Sequence, residues 1–97
     1  MTYEIDLESW QARIVALESA SEVGRRILTL LLEDGPMSAG QISRRLGIPL
    51  TTAFYHLARM ELVNLVESDI KITSSGPRWV KYYRASSSRI VFNLERR

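Results

Sequence analysis

The sequence predicts an α+β fold in which three to four helices are followed by a β-hairpin. Apolar residues recur at helical intervals of three and four through about residue 63. From Val66 to Ala85 β-branched and aromatic residues predominate instead, around the turn Ser74-Ser75-Gly76-Pro77. Gly35-Pro36 and Gly47-Ile48-Pro49 punctuate the helical part, because glycine supplies a left-handed turn and proline forbids continuation.

The first helix is expected over about Leu7 to Ser19 with Asp6 as its cap, placing Leu7, Trp10, Ile14 and Leu17 at intervals of 3, 4 and 3. This heptad-like seam has two readings, a contact with a second copy of the chain or an amphipathic helix packed on its own domain. Its narrowness favours the dimer contact. Ser19 with Glu22 forms a possible capping box for a second helix carrying Val23, Ile27, Leu28 and Leu31, which is apolar almost all round and so central to the core.

Ser38 with Gln41 repeats the capping signature and opens a short helix, with Ile42 and Leu46 inward and Gln41, Arg44 and Arg45 outward. After Gly47-Ile48-Pro49 a further helix runs from about Leu50 to Glu61, with Ala53, Leu57 and Met60 at helical spacing. Short helix, tight turn and second helix form the helix-turn-helix layout. Asn64 ends the helical part, being the residue after glycine that best tolerates the left-handed conformation. Strands follow over Val66 to Thr73 and Trp79 to Ala85, and Arg89 to Leu94 is either a third strand or a short helix.

The 97 residues are expected to form one domain, with an N-terminal dimerisation helix in 1–22, a helical core in 23–65, a hairpin wing in 66–85 and a terminal element in 86–97. A chain this short gains from burying apolar surface against a partner. Hydrophobic residues at 45% and charged residues at 25% are ordinary for a globular chain. No apolar run approaches the roughly 20 residues that span a bilayer, and the first ten residues carry acids where a secretory leader carries bases. The expected location is the cytoplasm, in association with the nucleoid, and no membrane partner is expected.

There is no cysteine and a single histidine, His56, so neither a thiolate site nor a multi-histidine metal site can form within one chain. No general acid, base and nucleophile assemble from the remainder, and no phosphate-cradling glycine loop is present. An enzyme, a metal site and a cofactor are therefore not expected. Charge is unevenly spread. Residues 1–24 hold five acids against Arg13 alone, a net −4, whereas the remainder holds twelve bases against six acids, a net +6. A basic body suits a polyanion.

The second helix of such a pair is narrow enough to enter the DNA major groove, where base edges present distinct donors and acceptors. Its non-core positions are Leu50, Thr51, Phe54, Tyr55 and Ala58, with Thr52 at the core boundary. Thr51 and Tyr55 offer hydroxyls, and Leu50 and Phe54 suit thymine methyls, although Phe54 could equally pack inside. Without Arg, Asn or Gln there, readout should lean on phosphates and DNA shape. Arg44, Arg45 and Arg59 are the expected phosphate contacts near this helix, and Lys71, Arg78 and Lys81 those of the wing. The expected partner is double-stranded DNA bound by a homodimer. An alternative is a winged helix used as a protein–protein interaction module in a transcription-related complex, with Leu50, Phe54 and Ala58 as an apolar docking face.

From Arg26 to Arg84 the sequence resembles the ArsR-like winged helix-turn-helix regulators. The matching pieces are Arg26-Ile27-Leu28 with Leu30-Leu31-Leu32, Gly35-Pro36, Ser38, Gln41-Ile42-Ser43, Arg45-Leu46-Gly47-Ile48, Thr51-Thr52-Ala53, Tyr55-His56-Leu57, Leu65-Val66 and Val80-Lys81-Tyr82-Tyr83-Arg84. The resemblance implies a winged-helix dimer that reads DNA through Leu50 to Arg59, touches the backbone with Arg78 and Lys81, and dimerises through its N-terminal helix. Asn64 stands where that family usually has glycine.

Overall fold

In the computed structural model, which describes residues 2–6, 9–72, 78–86 and 89–93, the helical part precedes an antiparallel hairpin. The elements are β1 (Thr2–Asp6), α1 (Trp10–Ala20), α2 (Glu22–Asp34), β2 (Met37–Ser38), α3 (Ala39–Leu46), α4 (Leu50–Leu62), β3 (Val66–Ile72), β4 (Trp79–Ala85) and β5 (Arg89–Asn93). β3 and β4 pair from Val66 with Ala85 to Ile72 with Trp79, and β2 adds to the other edge of β4 through Met37 with Tyr83. Residues 73–77, where the sequence places a turn, lie outside the described residues.

The N-terminus differs from the sequence expectation. Asp6 does not cap a helix beginning at Leu7; it ends β1, which runs parallel to β5 with Asp6 opposite Asn93. Ser9 caps α1 instead, its Oγ accepting from the Ala12 N–H at 3.1 Å. The cause is a pairing between the two ends of the chain, which local propensity does not encode. The same pairing makes Arg89–Asn93 a strand rather than a short helix. Leu7 lies outside the described residues.

The second helix is capped by Ser21, not Ser19. Ser21 is the single extended residue between α1 and α2. Its N–H closes α1 on Leu17 and Glu18, and its Oγ opens α2 by accepting from Gly24 N–H at 3.2 Å. The Ser19 and Ala20 carbonyls accept instead from the Arg25 guanidinium, at 2.9 and 3.1 Å. α3 has the expected reciprocal box: Ser38 Oγ accepts from Gln41 N–H at 3.2 Å, and Gln41 Oε1 accepts from Ser38 N–H at 2.9 Å.

The core is built from Ile27 and Leu31 of α2, Ile42 of α3, Ala53, Leu57 and Met60 of α4, and Val66 and Tyr83 of the hairpin. α1 joins it through Ala12 and Val15, a different face from the expected seam, so Trp10 and Leu17 stay exposed while Ile14 is half-buried. Among the described residues no helix is long and apolar enough to cross a membrane.

Candidate nucleic-acid interface

The site is assembled by α3, the turn after it, α4 and the wing. Gly47 takes φ 67°, the left-handed conformation that lets the chain reverse out of α3. Ser43 secures the turn, its carbonyl accepting from Ile48 N–H at 3.1 Å while its hydroxyl donates to the Ile48 carbonyl at 2.5 Å. Pro49 then fixes the direction in which α4 leaves. Burial of Ala53, Leu57 and Met60 turns the opposite face outward: Leu50, Thr51, Phe54, Tyr55 and Ala58 are exposed and Thr52 is half-buried. Phe54, for which packing inside and presentation stood open, is presented, at 47% exposure.

At the other end of α4, Asn64 takes φ 64° and Leu65 N–H bonds back to the Met60 carbonyl at 2.8 Å, turning the chain into β3. The hairpin returns β4 beside the start of α4. Leu50 and Phe54 therefore share one open groove with Trp79 and Lys81 of β4 and with Ser38 and Gly40 at the start of α3. Arg44 borders it, its guanidinium lying 3.5 Å from where a Cβ on Gly40 would stand.

Three of the other predicted cations, Arg45, Arg59 and Lys81, are engaged with acids. Arg45 pairs with Asp34 at the end of α2, away from the groove. Lys81 Nζ lies 3.2 Å from Glu61, and this hydrogen bond raises the lysine above its ordinary value. Glu61 is held below the usual carboxylate range, first by the Ser68 hydroxyl donating at 2.6 Å and then by Lys81. Strand alternation puts Lys71 on the face of the wing opposite Lys81, with its ammonium 5.7 Å from the Tyr82 ring centre. Arg44 and Arg78 are exposed and form no ion pair with a described residue.

Sequence reasoning missed Glu18. It lies on the buried face of α1 and is 2% exposed. Its two carboxylate oxygens accept from His56 Nδ1 at 2.7 Å and from Arg59 Nε at 2.8 Å, both on α4. This hydrogen bond is the main reason the Arg59 guanidinium is raised above its ordinary value. His56 is thereby satisfied by a carboxylate. The available signal was the spacing of Ala12, Val15 and Glu18 by threes, which the larger residues Trp10 and Leu17 on the other face obscured.

Short helix, three-residue turn, second helix with a free outer face, and a hairpin packed beside it define a winged helix-turn-helix protein. The chain belongs to the helix-turn-helix domain family, whose pattern matches residues 20–69. Solved structures extend the likeness to the wing and to ArsR-like regulators. HlyU from Vibrio cholerae N16961 is 27% identical, with a TM-score of 0.61 over 80% of this chain and 77% of that one. The homodimeric winged helix-turn-helix DNA-binding domain of Mb0332 from Mycobacterium bovis, a possible ArsR-family transcriptional regulator, is 28% identical. Its TM-score is 0.65, over 79% of this chain and 65% of that one. NolR from Sinorhizobium fredii, at 22% identity and a TM-score of 0.62 over 80% of this chain and 71% of that one, shares the fold. No relative is found among curated proteins.

Proposed function

We propose that this chain is a sequence-specific double-stranded DNA-binding transcriptional regulator that acts as a homodimer on the nucleoid. α4 enters the major groove, and the wing lies along the backbone or minor groove. One observation carries the reading: the exposed face of α4 opens onto the groove it shares with β4, with Arg44 at the border and Arg78 at the entrance to the wing. Leu50 and Phe54 meet thymine methyls, Thr51, Thr52 and Tyr55 serve bases or phosphates, and Arg44, Arg78, Lys71 and Lys81 meet phosphates. Arg45, Arg59 and Lys81 contribute less than their charge implies, because Asp34, Glu18 and Glu61 compete for them.

The exposed Trp10 and Leu17 form the dimer contact, since α1 packs on its own chain through Ala12 and Val15, with Ile14 partly buried against the core, and leaves these two side chains available. Two reading helices about 34 Å apart then match half-sites one helical turn apart. The whole chain acts as one binding unit. Catalysis, metals and cofactors form no part of the proposal.

Titrating duplex affinity against salt tests the reading. Several phosphate contacts require log K to fall with log salt at about 0.9 per phosphate, and Arg44→Glu with Arg78→Glu should flatten that slope while the fold is kept. A salt-independent affinity contradicts it. The apolar character of Leu50, Phe54 and the 70%-exposed Trp79 favours a second reading, docking of a protein partner. In that case Phe54→Ala abolishes partner capture and the double arginine variant does not.

A further inference from the structure

We infer that Glu18 is a positioning residue for base recognition, fixing the Tyr55 ring on the outer face of α4 through Arg59 and His56. The inference rests on the DNA-binding reading proposed above. Tyr55 is 57% exposed, and a tyrosine so placed ordinarily samples several rotamers. Here two neighbours constrain it. The Arg59 guanidinium carbon lies 5.2 Å from the Tyr55 ring centre, as i and i+4 on one helix face allow. The His56 ring meets it edge to face, with centroids 5.2 Å apart and planes at 83°.

Both neighbours are fixed by the same buried carboxylate, one oxygen each. The contact is built into the packing of α1 on α2. At Gly24 a Cβ would stand 2.6 Å from the Glu18 carbonyl oxygen and 2.9 Å from Oε1, so only glycine leaves the carboxylate its place. Burying a charge is a poor way to gain stability, because an apolar side chain in the same position packs two helices together at least as well. What the ionic arrangement supplies is direction: two fixed donors on α4 and, through them, one ring orientation at the reading surface. A preset ring loses less freedom when it meets a base, and a misplaced one loses the contact that distinguishes bases.

The test compares the full chain and its variants on the duplex most enriched from a random-sequence pool, and on single-base variants of that duplex. Glu18→Gln is expected to reduce discrimination at the base pair facing Tyr55 by about threefold to tenfold, the worth of one hydrogen bond. Affinity for an unrelated duplex should be unchanged or higher, since an acid is removed. In a Tyr55→Ala background Glu18→Gln should change discrimination no further. Unaltered discrimination in a folded Glu18→Gln protein overturns the proposal, as does an equal loss in the Tyr55→Ala background. Arg59→Lys keeps a cation for Glu18 but removes the flat guanidinium from Tyr55, so it serves if Glu18→Gln does not fold. The same loss is expected, and none overturns the proposal. If the wild-type chain enriches no duplex, the DNA-binding reading fails, and this one with it.

Discussion

Glu18 shows how far the surroundings of one residue can outweigh its type. A glutamate in a helix is ordinarily a solvated charge, and this one is the buried charge in the described core because two donors on α4 and a glycine on α2 converge on it. The glycine gives the sharpest prediction at this scale. Gly24→Ala gains up to about 1 kcal/mol of helix propensity. It also drives a methyl into a backbone oxygen that cannot swing aside, a strain of about 1–3 kcal/mol. Net destabilisation is expected, with a lower urea midpoint, where propensity alone predicts a rise. Asn64 is a milder case: its left-handed φ of 64° is a conformation that asparagine tolerates better than other side chains, so the turn into β3 forms without glycine.

Polar side chains also tie elements together, and among the described residues Glu61 joins α4 to the wing. Its carboxylate accepts from Ser68 of β3 and Lys81 of β4, so one side chain spans both strands of the hairpin. Because its folded pKa is depressed, the stabilisation is fully present above the ordinary glutamate value and is lost as pH falls through the lower folded value. Thermal melts should therefore separate wild type from Glu61→Gln at neutral pH and bring them together as pH falls through the depressed folded value of Glu61, where the wild-type carboxylate is also protonated. The carboxylate is partly solvent-exposed, so the separation should be small. A gap that persists in acid would mean that the glutamine has disturbed packing instead.

The distribution of charge and apolar surface orders the whole molecule. The basic body carries α3, α4 and the wing, while α1 turns Trp10 and Leu17 outward from a more acidic leader. In the proposed dimer the leaders meet each other and the basic bodies meet DNA. Folding and association are then linked, so the melting temperature should rise with protein concentration, and Trp10→Ser with Leu17→Ser should remove that dependence. Sedimentation of the double variant as a monomer whose melting no longer changes with concentration would agree; wild-type melting that ignores concentration would remove α1 from the interface.

Helices α2, α3 and α4 were legible because their signals are local: the Ser38–Gln41 box, Gly47, Pro49 and the spacing of Ala53, Leu57 and Met60 lie within a turn or two of what they specify. The outer face of α4 followed from that spacing, and the hairpin strands followed from their β-branched and aromatic runs. Tertiary structure alone decided the pairing of β1 with β5, which united opposite ends of the chain and moved the first cap from Asp6 to Ser9. It alone decided that Arg45, Arg59 and Lys81 face acids, and that Glu18 is buried. A charge on a helix carries no mark of its distant partner, since a contact across dozens of residues is set by how the elements pack and not by the residues beside it in the chain.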